Sequence, residues 1–160
     1  IDILAIEAIC PLDLAWVAKD SIRKIPFFGL IITKAEMIGI EREDKSSMMK
    51  MIKAAKSRMK DGRAISIFPE GTRSSGYDLL EFKSGAMALA NLLKLKVQPV
   101  IITNTKETLD MKEQTFSRKP RMRIKILPQI QADKTTNWYE EVQQNMQKEL
   151  YELAELTDNR

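Results

Sequence analysis

An α/β domain, with a mixed and largely parallel sheet flanked by helices, is what this sequence of 160 residues predicts. Three observations carry the expectation. Short apolar runs of strand length, at residues 14–18, 37–41, 64–68 and 97–103, are separated by helical segments, an order that calls for crossover connections and parallel pairing. The run at 64–68 is apolar at almost every position, as a strand covered on both faces of a parallel sheet must be. It ends abruptly in Pro69-Glu70-Gly71-Thr72-Arg73-Ser74, a polar turn at the carboxyl end of a strand, where ligands sit in folds of this class.

Taken in order, residues 3–10 are apolar with one charge, Glu7, and are expected to form a helix that closes before Pro11, which cannot continue it. A strand at 14–18 comes next. Residues 21–32 set Arg23 and Lys24 ahead of an apolar run containing Phe27 and Phe28, a reasonable contact for a lipid surface. After the strand at 37–41, Arg42 projects just past its end. Over 46–60, Met48, Ile52, Ala55 and Met59 recur at helical spacing, with Lys50, Lys53, Lys56 and Lys60 on the exposed side and Gly62 as terminator. A helix at 85–93 leads into the strand at 97–103. Arg121, Arg123 and Lys125 alternate with Met122, Ile124 and Ile126, a strand with one apolar and one basic face. Solvent is the expected neighbour of the basic face, with a phosphate or headgroup as the alternative. Asn137 with Glu140 reads as a capping box opening a final helix, whose stripe of Trp138, Val142, Met146, Leu150 and Leu153 is expected in the core. No repeat or linker divides the chain, so residues 1–160 are read as a single domain.

Composition narrows the chemistry. A net charge of +4 favours anionic partners. One cysteine, Cys10, forms no internal disulfide, and without a Cys/His cluster no zinc site is expected. The chain contains no histidine, the side chain that most often moves protons near neutral pH, so either carboxylates do that work or a piece is missing. The chain opens on Ile1 inside an apolar segment and is read as a fragment or processed form. No run approaches the ~18 apolar residues of a membrane-spanning helix, and no signal peptide is visible.

The turn suits a phosphate-like group. Pro69 ends strand pairing, Gly71 lets the backbone come close to a ligand, and Arg73 offers a fixed fork of donors. An ordinary turn with a solvated arginine is the plainer reading. Arg42, beyond another strand end, would face the same pocket.

The block Phe68-Pro69-Glu70-Gly71-Thr72-Arg73-Ser74 stands in order with Lys19, Pro26-Phe27-Phe28-Gly29, Ile40-Glu41-Arg42, Phe82-Lys83-Ser84-Gly85-Ala86 and Pro99. Together they resemble the glycerolipid acyltransferase family, most closely its 1-acyl-glycerol-3-phosphate acyltransferases, over residues 2–105. The resemblance implies acyl transfer from a thioester, on coenzyme A or an acyl carrier protein, to the free hydroxyl of lysophosphatidic acid, giving phosphatidic acid in phospholipid synthesis. It implies no cofactor and no metal. In that family the histidine of an HxxxxD motif takes the hydroxyl proton while the aspartate orients it. Asp2 falls where the aspartate stands, which puts the histidine four residues before Ile1; the plainer reading of Asp2 is an acid well placed at a helix N-terminus. By the same resemblance Arg42 and Arg73 hold the acceptor phosphate, Glu70 sits near the glycerol hydroxyls, and Gly71 and Thr72 shape the turn. Lys19 and Lys83 are auxiliary cations or simply solvated. Glu41, Gly39 and Lys96 depart from the family pattern. The implied setting is membrane-associated, on the cytoplasmic face and against a lipid surface. Two other readings stand: an acyltransferase for glycerol-3-phosphate or another lysolipid, and a non-catalytic binder of anionic lipid. Nucleic acid is not expected, since few exposed aromatic residues offer a stacking platform.

Overall fold

The computed structural model describes residues 1–20, 36–40, 46–72, 74, 76–110, 115–116 and 122–158. Its elements run α1 (Asp2–Ile9), β1 (Leu14–Lys19), β2 (Ile38–Ile40), α2 (Ser47–Lys60), β3 (Ala64–Ile67), α3 (Ser84–Leu93), β4 (Lys96–Val97), β5 (Val100–Thr103), α4 (Thr105–Thr108), β6 (Leu109–Asp110), β7 (Thr115–Phe116), β8 (Arg123–Ile126), β9 (Ile130–Gln131) and α5 (Trp138–Asp158).

The strands β2, β1 and β3 form a three-stranded sheet in that order, with β1 parallel to both neighbours. Val17 lies opposite both Ile38 and Ile67, so the three carboxyl ends finish at one edge, where Asp20 and Phe68 follow β1 and β3. Beyond this sheet the pairing turns antiparallel, in the two-stranded units β4 with β9, β5 with β8 and β6 with β7. The single strand expected over 97–103 is therefore two short ones. Pro99 interrupts it: proline has no N–H for a ladder, while its carbonyl accepts from Leu127 N–H at 3.0 Å. Each half then takes its own partner.

Helices cover both faces of the parallel sheet. On one, α2 brings Met51, Ile52 and Ala55 against Ala15, Val17 and Ile38, with Leu89 of α3. The buried face of α2 is turned from the expected stripe: Met51 is 2% exposed, whereas Met59 is 38% exposed. With methionines at 48, 49, 51 and 59, periodicity alone does not settle which of them faces inward. The helix stops as expected. Gly62, at φ +82°, lets Arg63 N–H reach Arg58 C=O and Gly62 N–H reach Met59 C=O, both at 3.1 Å, satisfying two terminal carbonyls. On the other face, Ile3, Ile6 and Cys10 from α1 and its end pack on Leu14, Trp16 and Met37.

A second cluster gathers under α5. Trp138, Tyr139, Met146 and Leu150 pack with Phe82, Ala90, Ile101, Leu127 and Ala132, and Val142 and Leu153 pack on its margin. That matches the expected stripe. The basic strand does not match: Ile126 is 61% exposed, while Lys125 pairs with Glu149 and lies 3.8 Å from Glu152, both on α5. Lys125 is registered with the buried Ile101, so its side of β8 faces α5, and the acids of that helix supply the countercharge. Arg121 lies outside the described residues.

Candidate active site

The polar turn hangs from the carboxyl edge of the parallel sheet, directly after β3. β3 stops at Ile67, and the next ring, Phe68, stacks on Trp16 with centroids 5.4 Å apart and planes inclined by 23°. Trp16 is 2% exposed, and its indole N–H donates to Glu7 Oε1 at 2.6 Å. One side chain on β1 thus joins α1 to the polar turn. Asp2 opens the same helix, roughly 7.5 Å along its axis from Glu7. One Asp2 oxygen, Oδ1, is buried without a hydrogen-bond partner among the described residues. A buried, unsatisfied acceptor is unfavourable for stability, which marks the position as one the fold alone does not explain.

The turn is closed by Gly71 N–H on Phe68 C=O at 3.0 Å, with Pro69 at its second position and Gly71 at its fourth, where φ is +69°. It is also tied down from outside. Pro69 C=O accepts from Lys83 N–H at 2.9 Å, and Glu70 Oε2 accepts from Leu80 N–H at 2.7 Å. A carboxylate anchored by one oxygen keeps acceptor capacity on the other, so Glu70 is suited to receive a hydroxyl from a fixed direction. Thr72 is exposed beside it.

Of the other sequence-derived candidates, Lys19 is the exposed last residue of β1. The Lys83 ammonium is also exposed, 3.8 Å from Glu81 Oε2. What ties Lys83 into the site is its main chain, which donates to Pro69 and accepts from the Tyr139 hydroxyl at 2.9 Å. Burial, reinforced by the nearby Glu140 carboxylate, raises the Tyr139 phenol above its usual range and keeps it a donor. Arg42, Arg73 and the segment 21–32 lie outside the described residues. Sequence reasoning missed Trp16, hidden within an apolar strand, and also Gln143, Gln147 and Tyr151, which hold the segment after the turn. Their regular spacing of four from Tyr139 was the available signal.

Among the described residues no group of acids, cysteines and histidines is arranged to hold a metal, and no helix is long and apolar enough to cross a membrane. The polar turn, its clip to Leu80 and the helix from Asp2 all fall within residues 1–103, the stretch matched by a family model described as Acyltransferase. The chain belongs to the acyltransferase family. It is 38% identical over 151 residues to the 1-acyl-sn-glycerol-3-phosphate acyltransferase of Helicobacter pylori, covering 93% of this chain and 63% of that protein. To the protein of the same name from Saccharomyces cerevisiae it is 30% identical over 162 residues, covering 96% of this chain and 53% of the yeast protein. The crystal structure of the 1-acyl-sn-glycerophosphate (LPA) acyltransferase PlsC from Thermotoga maritima superposes with a TM-score of 0.65 at 25% identity, covering 91% of this chain and 57% of that one. The chain therefore spans little more than half to just under two thirds of the length of these relatives. The mixed α/β acyltransferase fold expected from the sequence is shared with the Thermotoga protein.

Proposed function

We propose that the protein is a lysophosphatidic acid acyltransferase, moving an acyl chain from a thioester to the free hydroxyl of 1-acylglycerol-3-phosphate and so forming phosphatidic acid. The observation that carries this reading is the joint at Trp16, which ties the helix beginning at Asp2 to the turn presenting Glu70. The names of the bacterial and yeast relatives supply the acceptor.

A hydroxyl is a weak nucleophile near neutral pH, and a positioned base contributes about 10²- to 10⁴-fold. In this reading Asp2 orients a histidine four residues ahead of Ile1, and its buried Oδ1 supports a role as acceptor for the imidazole N–H. The imidazole removes the hydroxyl proton as the oxygen attacks the thioester carbonyl. The carbon–sulfur bond then breaks, and the thiol leaves with that proton. Arg42 and Arg73 hold the acceptor phosphate, Glu70 receives a glycerol hydroxyl, Gly71 and Thr72 shape the turn, and Lys19 and Lys83 add positive charge at the sheet edge. Acyl-coenzyme A or acyl carrier protein is the co-substrate, and the reaction uses neither metal nor organic cofactor. A lipid surface on the cytoplasmic face delivers the acceptor. Segment 21–32 and the exposed Leu4, Ile9 and Leu12 offer it apolar contact.

The test is phosphatidic acid formation by the full-length protein from lysophosphatidic acid and either acyl donor, with glycerol-3-phosphate and other lysolipids as competing acceptors. Exclusive use of another acceptor, or anionic-lipid binding without turnover, rejects the reading.

A further inference from the structure

Four side chains of α5, spaced four residues apart, hold one segment of chain, three of them by its main chain and one by a side chain. The Tyr139 hydroxyl donates to Lys83 C=O at 2.9 Å, and Gln143 Nε2 donates to Leu80 C=O at 3.2 Å. Gln147 uses both ends of its amide: Oε1 accepts from Leu79 N–H at 2.7 Å, and Nε2 donates to Tyr77 C=O at 2.9 Å. Tyr151 donates its hydroxyl to Asp78 Oδ1. The contacts run antiparallel, from residue 83 opposite Tyr139 to residues 77–79 opposite Gln147 and Tyr151, so segment 77–83 lies along the helix. Four-residue steps trace an oblique line on a helix, one that a passing extended chain can follow.

The same segment holds the polar turn, through Leu80 N–H on Glu70 Oε2 and Lys83 N–H on Pro69 C=O. Leu79 and Leu80 belong to no helix or strand, so no ladder fixes their amides. What fixes them is the glutamine pair, and Leu80 N–H in turn fixes Glu70. We propose that the polar stripe of α5 is a positioning device for the acceptor-binding turn, in which Gln147 and Gln143 set the main chain at Leu79 and Leu80 and thereby aim the Glu70 carboxylate. This deepens the acyltransferase reading and rests on it. All four stripe residues lie beyond residues 1–103, outside the family-matched stretch. They are positioning residues: Tyr139, Gln143 and Gln147 touch the main chain that carries the site, Tyr151 touches the Asp78 carboxylate on the same segment, and Glu70 meets the acceptor.

The experiment measures steady-state kinetics of the full-length protein and its Gln147→Leu, Gln147→Glu and Glu70→Ala variants, with Gln147→Leu also made on the Glu70→Ala background. Wild-type turnover of lysophosphatidic acid establishes the underlying reading; its absence overturns both that reading and the inference. In the active enzyme, Gln147→Leu is expected to raise the KM for lysophosphatidic acid about tenfold and leave the acyl-donor KM unchanged. Gln147→Glu keeps the bond from Leu79 N–H and is expected to fall between. With Glu70 already removed, Gln147→Leu is expected to add less than about twofold, because the two act through one path. An unchanged acceptor KM, equal losses on donor and acceptor, or full additivity overturns the proposal. Should Gln147→Leu fail to fold, hydrogen exchange at the Leu80 amide in Gln143→Leu decides: faster exchange together with a raised acceptor KM supports the device, and faster exchange at unchanged KM refutes it.

Discussion

Replacing Trp16 by Phe tests the joint between α1 and the polar turn. Phenylalanine keeps a ring beneath Phe68, which stacks at 5.4 Å, but loses the indole N–H that meets Glu7 at 2.6 Å. A hydrogen bond to a charged partner contributes about 1.5–3 kcal/mol, and Glu7 is exposed and rehydrates, so the lower end applies. Trimming a side chain that is 2% exposed adds a cavity cost of about 1 kcal/mol, for an expected loss of about 2–3 kcal/mol. Trp16→Ala, which also removes the stack, is expected to cost about 3–5 kcal/mol. Urea unfolding reads the loss as a lower midpoint at unchanged slope, and a thermal melt as a drop of roughly 5–10 °C. Glu7→Gln retains an acceptor and is expected to cost under about 1 kcal/mol, and a cycle of Trp16→Phe with Glu7→Gln should be non-additive. A Trp16→Phe midpoint indistinguishable from wild type, or strict additivity in the cycle, refutes Trp16 as the link.

Lys94 ends α3 in the left-handed region at φ 51°, with Leu95 N–H on Ala90 C=O at 2.9 Å, so Lys94→Gly is expected to stabilise by about 0.5–1 kcal/mol; a lower melting temperature would contradict this. Asp133 accepts from Thr135 N–H at 2.9 Å and from its hydroxyl at 2.7 Å, and these bonds, the main-chain one foremost, lower its carboxyl pKa. A lowered folded-state pKa contributes stability that is present above the unfolded value of about 3.9 and is lost as pH falls through the folded value. Asp133→Asn should therefore flatten the acid limb of stability below about pH 4, and an unchanged limb measured by denaturation midpoints would reject it. Under the proposed function, Arg73→Ala should lower kcat/KM for a phosphate-bearing acceptor about 10- to 150-fold with the fold intact by circular dichroism, and wild-type kinetics would remove Arg73 from the site.

Where a structural decision was local, the sequence carried it. The apolar runs located β1, β2 and β3, Gly62 marked the end of α2, and the stripe from Trp138 to Leu153 identified the buried side of α5. What escaped depended on distant partners. Nothing adjacent to Lys125 records that Glu149 will neutralise it, so alternation along β8 read as a solvated face. The apolar run at 97–103 contains Pro99, yet only the positions of β8 and β9 reveal that it divides into two pairings. At the site, the block around Glu70 was legible as chemistry, whereas its orientation comes from a main-chain N–H ten residues on and from a helix about seventy residues on; the spacing of four on that helix was visible, but nothing in it named segment 77–83 as the partner.

The distance from Leu79 to Gln147 also sets an order in time. A chain emerging from the ribosome makes the parallel strands, α1 and the polar turn long before it makes α5, and contacts spanning that much sequence form late because a long loop must close first. Until residue 147 has been synthesised, the segment that clips Glu70 lacks its glutamine contacts. Under the proposed function, the nascent protein is thus slow to acquire its aligned acceptor site, and half-made molecules are expected to use the acceptor less well.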